Sequence, residues 1–293
     1  MKAEFLIWTL RKRHLSGINW KGIFMEAVIV SISSDIGYAL AKRWRQRGME
    51  VCGTYRTPSA LVDDLEGCGV KTFHCDMANA SSVRNACASL RLASSQWDYL
   101  VLCPGALGPV GTFSDDDFAR WEESLEVNFT RQIQIVHELL PSRNKKGKRP
   151  AVVLFFAGGG INNATVNYSA YTVSKIALIK MCELLDAEVP DTNFVILGPG
   201  WVKTKIHQAT LDAGKKAGAN YQKTVTKLAG DECTPMEKIL DCCDWIIKAD
   251  RKIVSGRNFS VVFDKWGSLP LIKKLVEDPN MYKLRRHGND WNR

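Results

Sequence analysis

The chain has 293 residues, is 45% apolar and carries a formal charge of +9, which allows one large buried core or two small ones. Its Lys and Arg residues are spread along the chain and no nucleic-acid motif appears, so the charge fits a phosphate-bearing ligand, or plain solubility, better than a nucleic acid. No apolar run approaches the length of a membrane span, and no linker, low-complexity tract or internal repeat breaks the pattern.

Residues 1–25 read as a basic, loosely ordered N-terminal extension, with Lys2, Arg11, Lys12, Arg13 and Lys21 standing against Glu4. A basic amphipathic helix on a membrane or partner is the competing reading. The apolar run from Phe5 to Leu10 is too short for a signal sequence and precedes its basic residues, the reverse of that order. The folded domain is expected over residues 26–265, with 266–293 a C-terminal tail to which no mechanism is assigned.

Ala27-Val28-Ile29-Val30 is a short buried strand, followed by a turn over residues 31–37 and a helix over about 38–47. Strand, turn and helix N-terminus make an anion site, because backbone N–H groups and the helix dipole point at it. Dinucleotide-binding turns take glycine where the backbone bends and approaches the pyrophosphate. Only Gly37 is kept here; Ser31 and Asp35 fill the other two glycine places. Ser31, Ser33, Ser34, Ile36 and Gly37 are the candidate cofactor contacts, and a simple helix cap by Ser34 or Asp35 is the alternative. The carboxylate of Asp35 is expected to weaken such a phosphate site.

The second strand, residues 51–56, ends in Tyr55 and Arg56. A carboxylate closing this strand would bind the ribose 2′-OH of NAD, whereas arginine accommodates a 2′-phosphate. NADP(H) is therefore expected ahead of NAD(H). A third strand over 70–75 ends at Asp76 and Met77, and a helix follows over about 80–92. The fourth, residues 99–103, runs into Pro104 and Gly105. One long helix is expected over 116–139, carrying Asn128. The fifth strand, 152–156, ends at Ala157 and three glycines. Strand six, 193–197, ends in Gly198-Pro199-Gly200-Trp201-Val202-Lys203-Thr204.

Between strands five and six stands Tyr168-Ser169-Ala170-Tyr171-Thr172-Val173-Ser174-Lys175. Tyr171 and Lys175 are four apart and share one face of a helix. A neighbouring ammonium lowers the pKa of a phenol, which makes tyrosine a usable acid or base near neutral pH. Strands alternating with helices give an α/β, doubly wound parallel sheet in a single domain, and every motif named falls at the carboxyl ends of its strands, where ligands bind in such folds.

With these pieces in order, the chain resembles the short-chain dehydrogenase/reductase family over about residues 26–264. Tyr171 with Lys175, Asn128 on the preceding helix, the Pro-Gly turn at 199–200 and Ser255-Gly256-Arg257-Asn258-Phe259 carry the resemblance. It implies an NADP(H)-dependent oxidoreductase acting on a carbonyl or an alcohol, with Tyr171 as general acid/base. By the same resemblance Lys175 holds the nicotinamide ribose and lowers the tyrosine pKa, and Asn128 anchors a water in the proton relay. Asp76 and Met77 match the adenine contacts, and Gly105 the last glycine of the turn after strand four. Pro199, Gly200, Val202 and Thr204 match the cofactor-binding turn after strand six.

One departure matters. The family places a serine near Ala157-Gly158, and neither residue has a hydroxyl; Thr165, Ser169, Asn162 and Asn163 are the possible substitutes. Losing such a donor costs about 10²–10³ in rate. A non-catalytic NADP-binding or scaffold protein on the same fold is therefore the second reading. The helix after Tyr171 is apolar over most of its circumference, and family members pair through it, so a homodimer or homotetramer is expected. Lys205, His207, Lys215, Lys216, Lys223 and Lys227 lie in the expected substrate lid, where a sugar or other anionic small molecule is one reading and a solvated face the other. The nine cysteines lack CxxC spacing, which points to reduced thiols, a cytoplasmic protein and no metal site.

Overall fold

Short apolar runs alternate with amphipathic helices along the chain, and they assemble into one seven-stranded sheet. The computed structural model describes residues 25–287; the extension expected over 1–25 lies outside them except for Met25. The strands are β1 (Glu26–Val30), β2 (Glu50–Tyr55), β3 (Lys71–His74), β4 (Tyr99–Leu102), β5 (Ala151–Phe156), β6 (Thr192–Gly198) and β7 (Arg257–Ser260). Their order is β3-β2-β1-β4-β5-β6-β7, and every pairing is parallel. β4 and β5 are buried along their whole length, as continuous apolar runs covered on both faces must be. The order reverses between β1 and β4, and such a switch point opens a crevice beyond the carboxyl ends of the two strands.

Alternation along each strand divides the core in two. Ile29, Val101, Leu154 and Val195 face one side, where they meet α1 (Asp35–Gln46), α2 (Ala60–Gly67), α9 (Met236–Lys248), α10 (Arg251–Val254) and α11 (Leu269–Glu277). Val28, Leu100, Val153 and Phe155 face the other, against α3 (Ala80–Ala93), α5 (Arg131–Leu139) and α6 (Ser169–Glu188). The long helix expected over 116–139 is instead two, α4 (Phe118–Leu125) and α5, joined by a π-helical turn at Glu126–Thr130. Past β6 the chain forms the short helices α7 (Gln208–Ala213) and α8 (Ala219–Ala229).

Two polar devices bind the edges of this layered core. Residues 266–287, set apart by sequence as a tail, are packed onto it: Leu271, Ile272 and Leu275 are buried. The buried Arg257 guanidinium donates to the carbonyls of Leu275 (2.6 Å), Asp278 (3.2 Å) and Met281 (2.6 Å). On the same face Asp244 of α9, 6% exposed, accepts from Trp44 Nε1 (2.9 Å) and Arg43 (3.0 Å) of α1 and from Arg47, which caps that helix. Deleting one member of a buried charge cluster strands the others without partners. Asp244→Ala is therefore expected to destabilise the fold by about 3 kcal/mol in urea unfolding. Asp241→Ala, which removes an exposed contact to the same Arg43, should cost less than about 1 kcal/mol.

Candidate active site

The turn after β1 is wound tightly by its own hydrogen bonds. Ser31 N–H donates to Thr54 Oγ1 (3.0 Å) and Ile32 N–H to the Thr54 carbonyl (2.7 Å). Ser31 adopts φ 57°, the left-handed conformation that glycine takes without strain and serine takes at a cost. Ser34 is the helix cap, its Oγ accepting from Gly37 N–H at 3.2 Å. A Cβ on Gly37 would stand 2.7 Å from the Ser31 carbonyl, so this one glycine has no substitute. Cap and turn thus coexist. Asp35 Oδ2 accepts from the backbone N–H of Lys205 at 3.2 Å, and Lys205 Nζ donates to the Ser33 carbonyl at 3.0 Å. Thr54 was missed in sequence, and Lys205 was singled out only as a lid residue, because the contact each makes here lies far along the chain.

At the neighbouring strand ends, Tyr55 meets His74 edge-on and Arg56 is exposed. Asp76 forms a local turn by accepting from Ala78 N–H at 3.0 Å, beside the buried Met77.

Lys175 is 2% exposed. Its Nζ donates to the Pro104 carbonyl at 3.2 Å and stands 5.7 Å from the Tyr171 ring centroid. Gln132 Nε2 reaches the same carbonyl (3.3 Å) and the Asn128 carbonyl (2.8 Å). Asn128, fully buried in the π-helical turn, clamps Ala106 by accepting from its N–H (2.9 Å) and donating to its carbonyl (2.8 Å). Its side chain therefore shapes the loop after β4, while its main-chain oxygen, already bonded to Gln132, keeps a second lone pair.

The electrostatics differ from the expected pair. Burial pushes the Tyr171 hydroxyl up to about 12 and the Lys175 ammonium down to about 8. Desolvation disfavours both charged forms, and the ammonium is turned toward Pro104 rather than toward the phenol. The ammonium therefore does not lower the tyrosine in this arrangement.

The missing hydroxyl has a geometric counterpart. A Cβ at Gly158 would lie 2.6 Å from Tyr171 Cε1, 2.9 Å from its hydroxyl oxygen and 3.0 Å from Lys175 Cγ. Tyr171 occupies the space a serine there would need. Of the possible substitutes, Asn162 and Asn163 are exposed and Ser169 Oγ accepts from Trp121 Nε1 at 3.0 Å.

Beyond β6, Pro199 leads into Gly200, which takes φ 79°; a Cβ there would stand 2.5 Å from Thr234 Oγ1. Val202 is buried, its carbonyl faces His207 Nε2 at 2.8 Å, and Thr204 Oγ1 reaches the same carbonyl at 3.5 Å. Trp201 stacks on His207, centroids 3.9 Å apart, with Lys227 Nζ 5.5 Å from the Trp201 ring. The segment then folds back over the loop after β4. Ile206 Cδ1 lies 3.3 Å from the Cβ position of Gly105. Leu107, Val110, Tyr168, Ala209, Ala213 and Ala217 pack together, and Tyr168 is tied to Thr210 at 2.9 Å. Lys215, Lys216 and Lys223 face solvent.

The geometry suits a dinucleotide: a tight turn opens a helix N-terminus at the switch point, and an ionisable pair stands at the neighbouring strand ends. The fold and site thus define the class of dinucleotide-binding α/β proteins. The short chain dehydrogenase family profile matches residues 26–214. A short-chain dehydrogenase/reductase from Saccharomyces cerevisiae superposes with a TM-score of 0.70 at 19% identity, covering 84% of this chain and 98% of that one. A dehydrogenase/reductase from Sinorhizobium meliloti gives 0.67 at 18%, covering 86% and 97%. A variant of actinorhodin polyketide ketoreductase solved with NADPH gives 0.71 at 16%, covering 81% and 95%. No curated protein matches the sequence at a significant level. The chain belongs to the short-chain dehydrogenase family, and is an oxidoreductase of the nicotinamide-dependent kind.

Two outcomes are expected of this geometry. Gly158→Ser should displace Tyr171 and lower turnover about tenfold or more, since small misplacements of a reacting group are costly; turnover at or above wild type would show that the tyrosine has room to retreat. The buried ammonium costs stability below pH 8, and that cost fades as pH rises from about 8 toward the ordinary 10.5 of an unfolded-state lysine. Lys175→Met should therefore stabilise the ligand-free protein at pH 7, by at most about 3 kcal/mol. Its advantage should shrink across that window in denaturant titrations; an unchanging gain would assign it to something other than charge.

Proposed function

We propose that the protein is an NADP(H)-dependent carbonyl reductase or alcohol dehydrogenase in which Tyr171 is the general acid/base. The observation that carries this reading is the convergence of Tyr171, Lys175 and the Pro104 carbonyl at the ends of β4 and β5. Bound nicotinamide supplies or accepts the hydride. Tyr171, held protonated by burial, donates its proton to the oxygen that gains negative charge, the direction that favours reduction. Lys175 sits beneath it with its ammonium held by Pro104, while Asn128 and Gln132 keep that carbonyl and the adjoining loop in place. Ser31, Ser33, Ser34, Ile36 and Gly37 line the pyrophosphate end, and Asp76 and Met77 the adenine end. Gly105, Pro199, Gly200, Val202 and Thr204 flank the nicotinamide end.

Preference for NADP(H) over NAD(H) rests on Arg56, exposed where β2 ends, with Tyr55 in the acidic place. The apolar cluster from Leu107 to Ala217 supports a substrate whose carbonyl is flanked by apolar groups, while the lysines of the lid leave the sugar or other anionic small molecule as the second reading. Phe118 (57% exposed) on α4 and Val173 (48%) and Leu184 (44%) on α6 support a second copy covering these helices. The nine free thiols support a reducing, cytoplasmic setting.

The test is NADPH and NADH binding by fluorescence, then NADPH consumption over a panel of ketones, with Arg56→Ala and Tyr171→Phe as controls. Arg56→Ala should erase a preference for NADPH. Tyr171→Phe should remove most turnover, by about 10²-fold or more, with NADPH still bound. Turnover that survives Tyr171→Phe sinks the mechanism, and tight NADPH binding with no turnover on any ketone favours the scaffold reading.

A further inference from the structure

Part of the phosphate turn's donor set is already committed within the protein, leaving the N–H groups of Ser33, Asp35 and Ile36 for a ligand. Its N–H groups at Ser31, Ile32, Ser34 and Gly37 are bonded to Thr54 Oγ1, the Thr54 carbonyl, the Ser31 carbonyl and Ser34 Oγ respectively. It also carries a carboxylate, Asp35, in the first turn of α1, where an anion of the protein's own competes with a phosphate for the helix dipole. Taken alone, these features would weaken a pyrophosphate site.

The segment after β6 changes that balance. Asp35 Oδ2 accepts the Lys205 N–H at 3.2 Å, so the carboxylate is directed at the lid. Lys205 Nζ stands over the same turn, 3.0 Å from the Ser33 carbonyl. One acceptor uses one of the three ammonium protons, which leaves donors for an incoming phosphate oxygen. Lys205 follows Thr204 directly, and Ile206 after it lies against Gly105. A contact made at Lys205 therefore sets where the lid sits over the nicotinamide end.

Resting on the cofactor reading above, we propose that Asp35 and Lys205 form a clasp. The carboxylate that replaces a turn glycine fastens the lid, and the ammonium adds a pyrophosphate contact to those the turn's remaining N–H groups can make. Asp35 is a positioning residue, and Lys205 is a cofactor-binding one. The two charges offset one another, so the site receives the cofactor's phosphates without the net repulsion Asp35 alone would impose.

The experiment compares the full chain with Lys205→Met, Asp35→Asn and Asp35→Gly. NADPH association and dissociation are followed by stopped-flow fluorescence, and hydrogen exchange over residues 203–207 is measured in the ligand-free protein. Lys205→Met should weaken NADPH binding about tenfold and flatten its salt dependence. Asp35→Asn keeps an acceptor oxygen, so association should quicken while dissociation stays near wild type. Asp35→Gly removes the fastening, so the Lys205 amide should exchange faster without ligand and NADPH should leave several-fold sooner. Wild-type affinity in Lys205→Met overturns the clasp, as does unchanged exchange and dissociation in Asp35→Gly, and either result leaves the cofactor reading standing. A wild-type protein that binds neither NADPH nor NADH overturns both.

Discussion

The Pro104 carbonyl is the point on which the site depends. A lysine ammonium that is 2% exposed has lost its water, and an ion so placed is tolerated only with an acceptor in reach. Pro104 supplies it, and Gln132 shares that oxygen while also holding the Asn128 carbonyl. Asn128 in turn fixes Ala106 through both its backbone groups. The loop after β4, the π-helical turn and α6 are thereby one buried polar network, in which each bond is strengthened by its low-dielectric surroundings. The network carries a cost: Gln132 Oε1 is buried without a hydrogen-bond partner among the described residues.

The π-helical turn is the backbone's answer to the same demand. A continuous α-helix over 118–139 would place Asn128 in register with its neighbours, pointing where the 3.6-residue repeat dictates. Widening five residues, Glu126–Thr130, shifts that register and lets the Asn128 amide meet the peptide at Ala106. Such bulges recur at functional positions because they re-aim one side chain without ending the helix.

Legibility in the sequence followed sequence distance. The strands were readable because each is a short apolar run closed by turn residues, and their parallel order followed from alternation with helices. Tyr171 and Lys175 were readable because their relation is four residues long. Relations that close over a long stretch of chain were not: Lys205 to Asp35 and Ser33, Thr54 to Ser31, Gln132 to Pro104, and Arg257 to the segment taken for a tail. Asn128 was found by type and spacing, yet its break in the helix was not, since Glu126-Val127-Asn128-Phe129-Thr130 has no proline or glycine to announce it. The direction of the tyrosine pKa was misjudged for a related reason. Composition places an ammonium near the phenol, but only the packing reveals that desolvation outweighs it.

Gly158 joins these threads. Its missing side chain leaves a space beside the Lys175 stem, and the Tyr171 ring fills it, so the pair is packed tighter than a serine at that place would allow. Burial of the pair is what pushes the phenol up and the ammonium down together. A phenol held protonated at neutral pH is a donor in waiting, better matched to giving a proton than to taking one. The absent serine is therefore more than a lost hydrogen bond. It also sets how closely the Tyr171 ring and the Lys175 stem pack, at the end of the sheet where Ile206 comes within 3.3 Å of the Cβ position of Gly105.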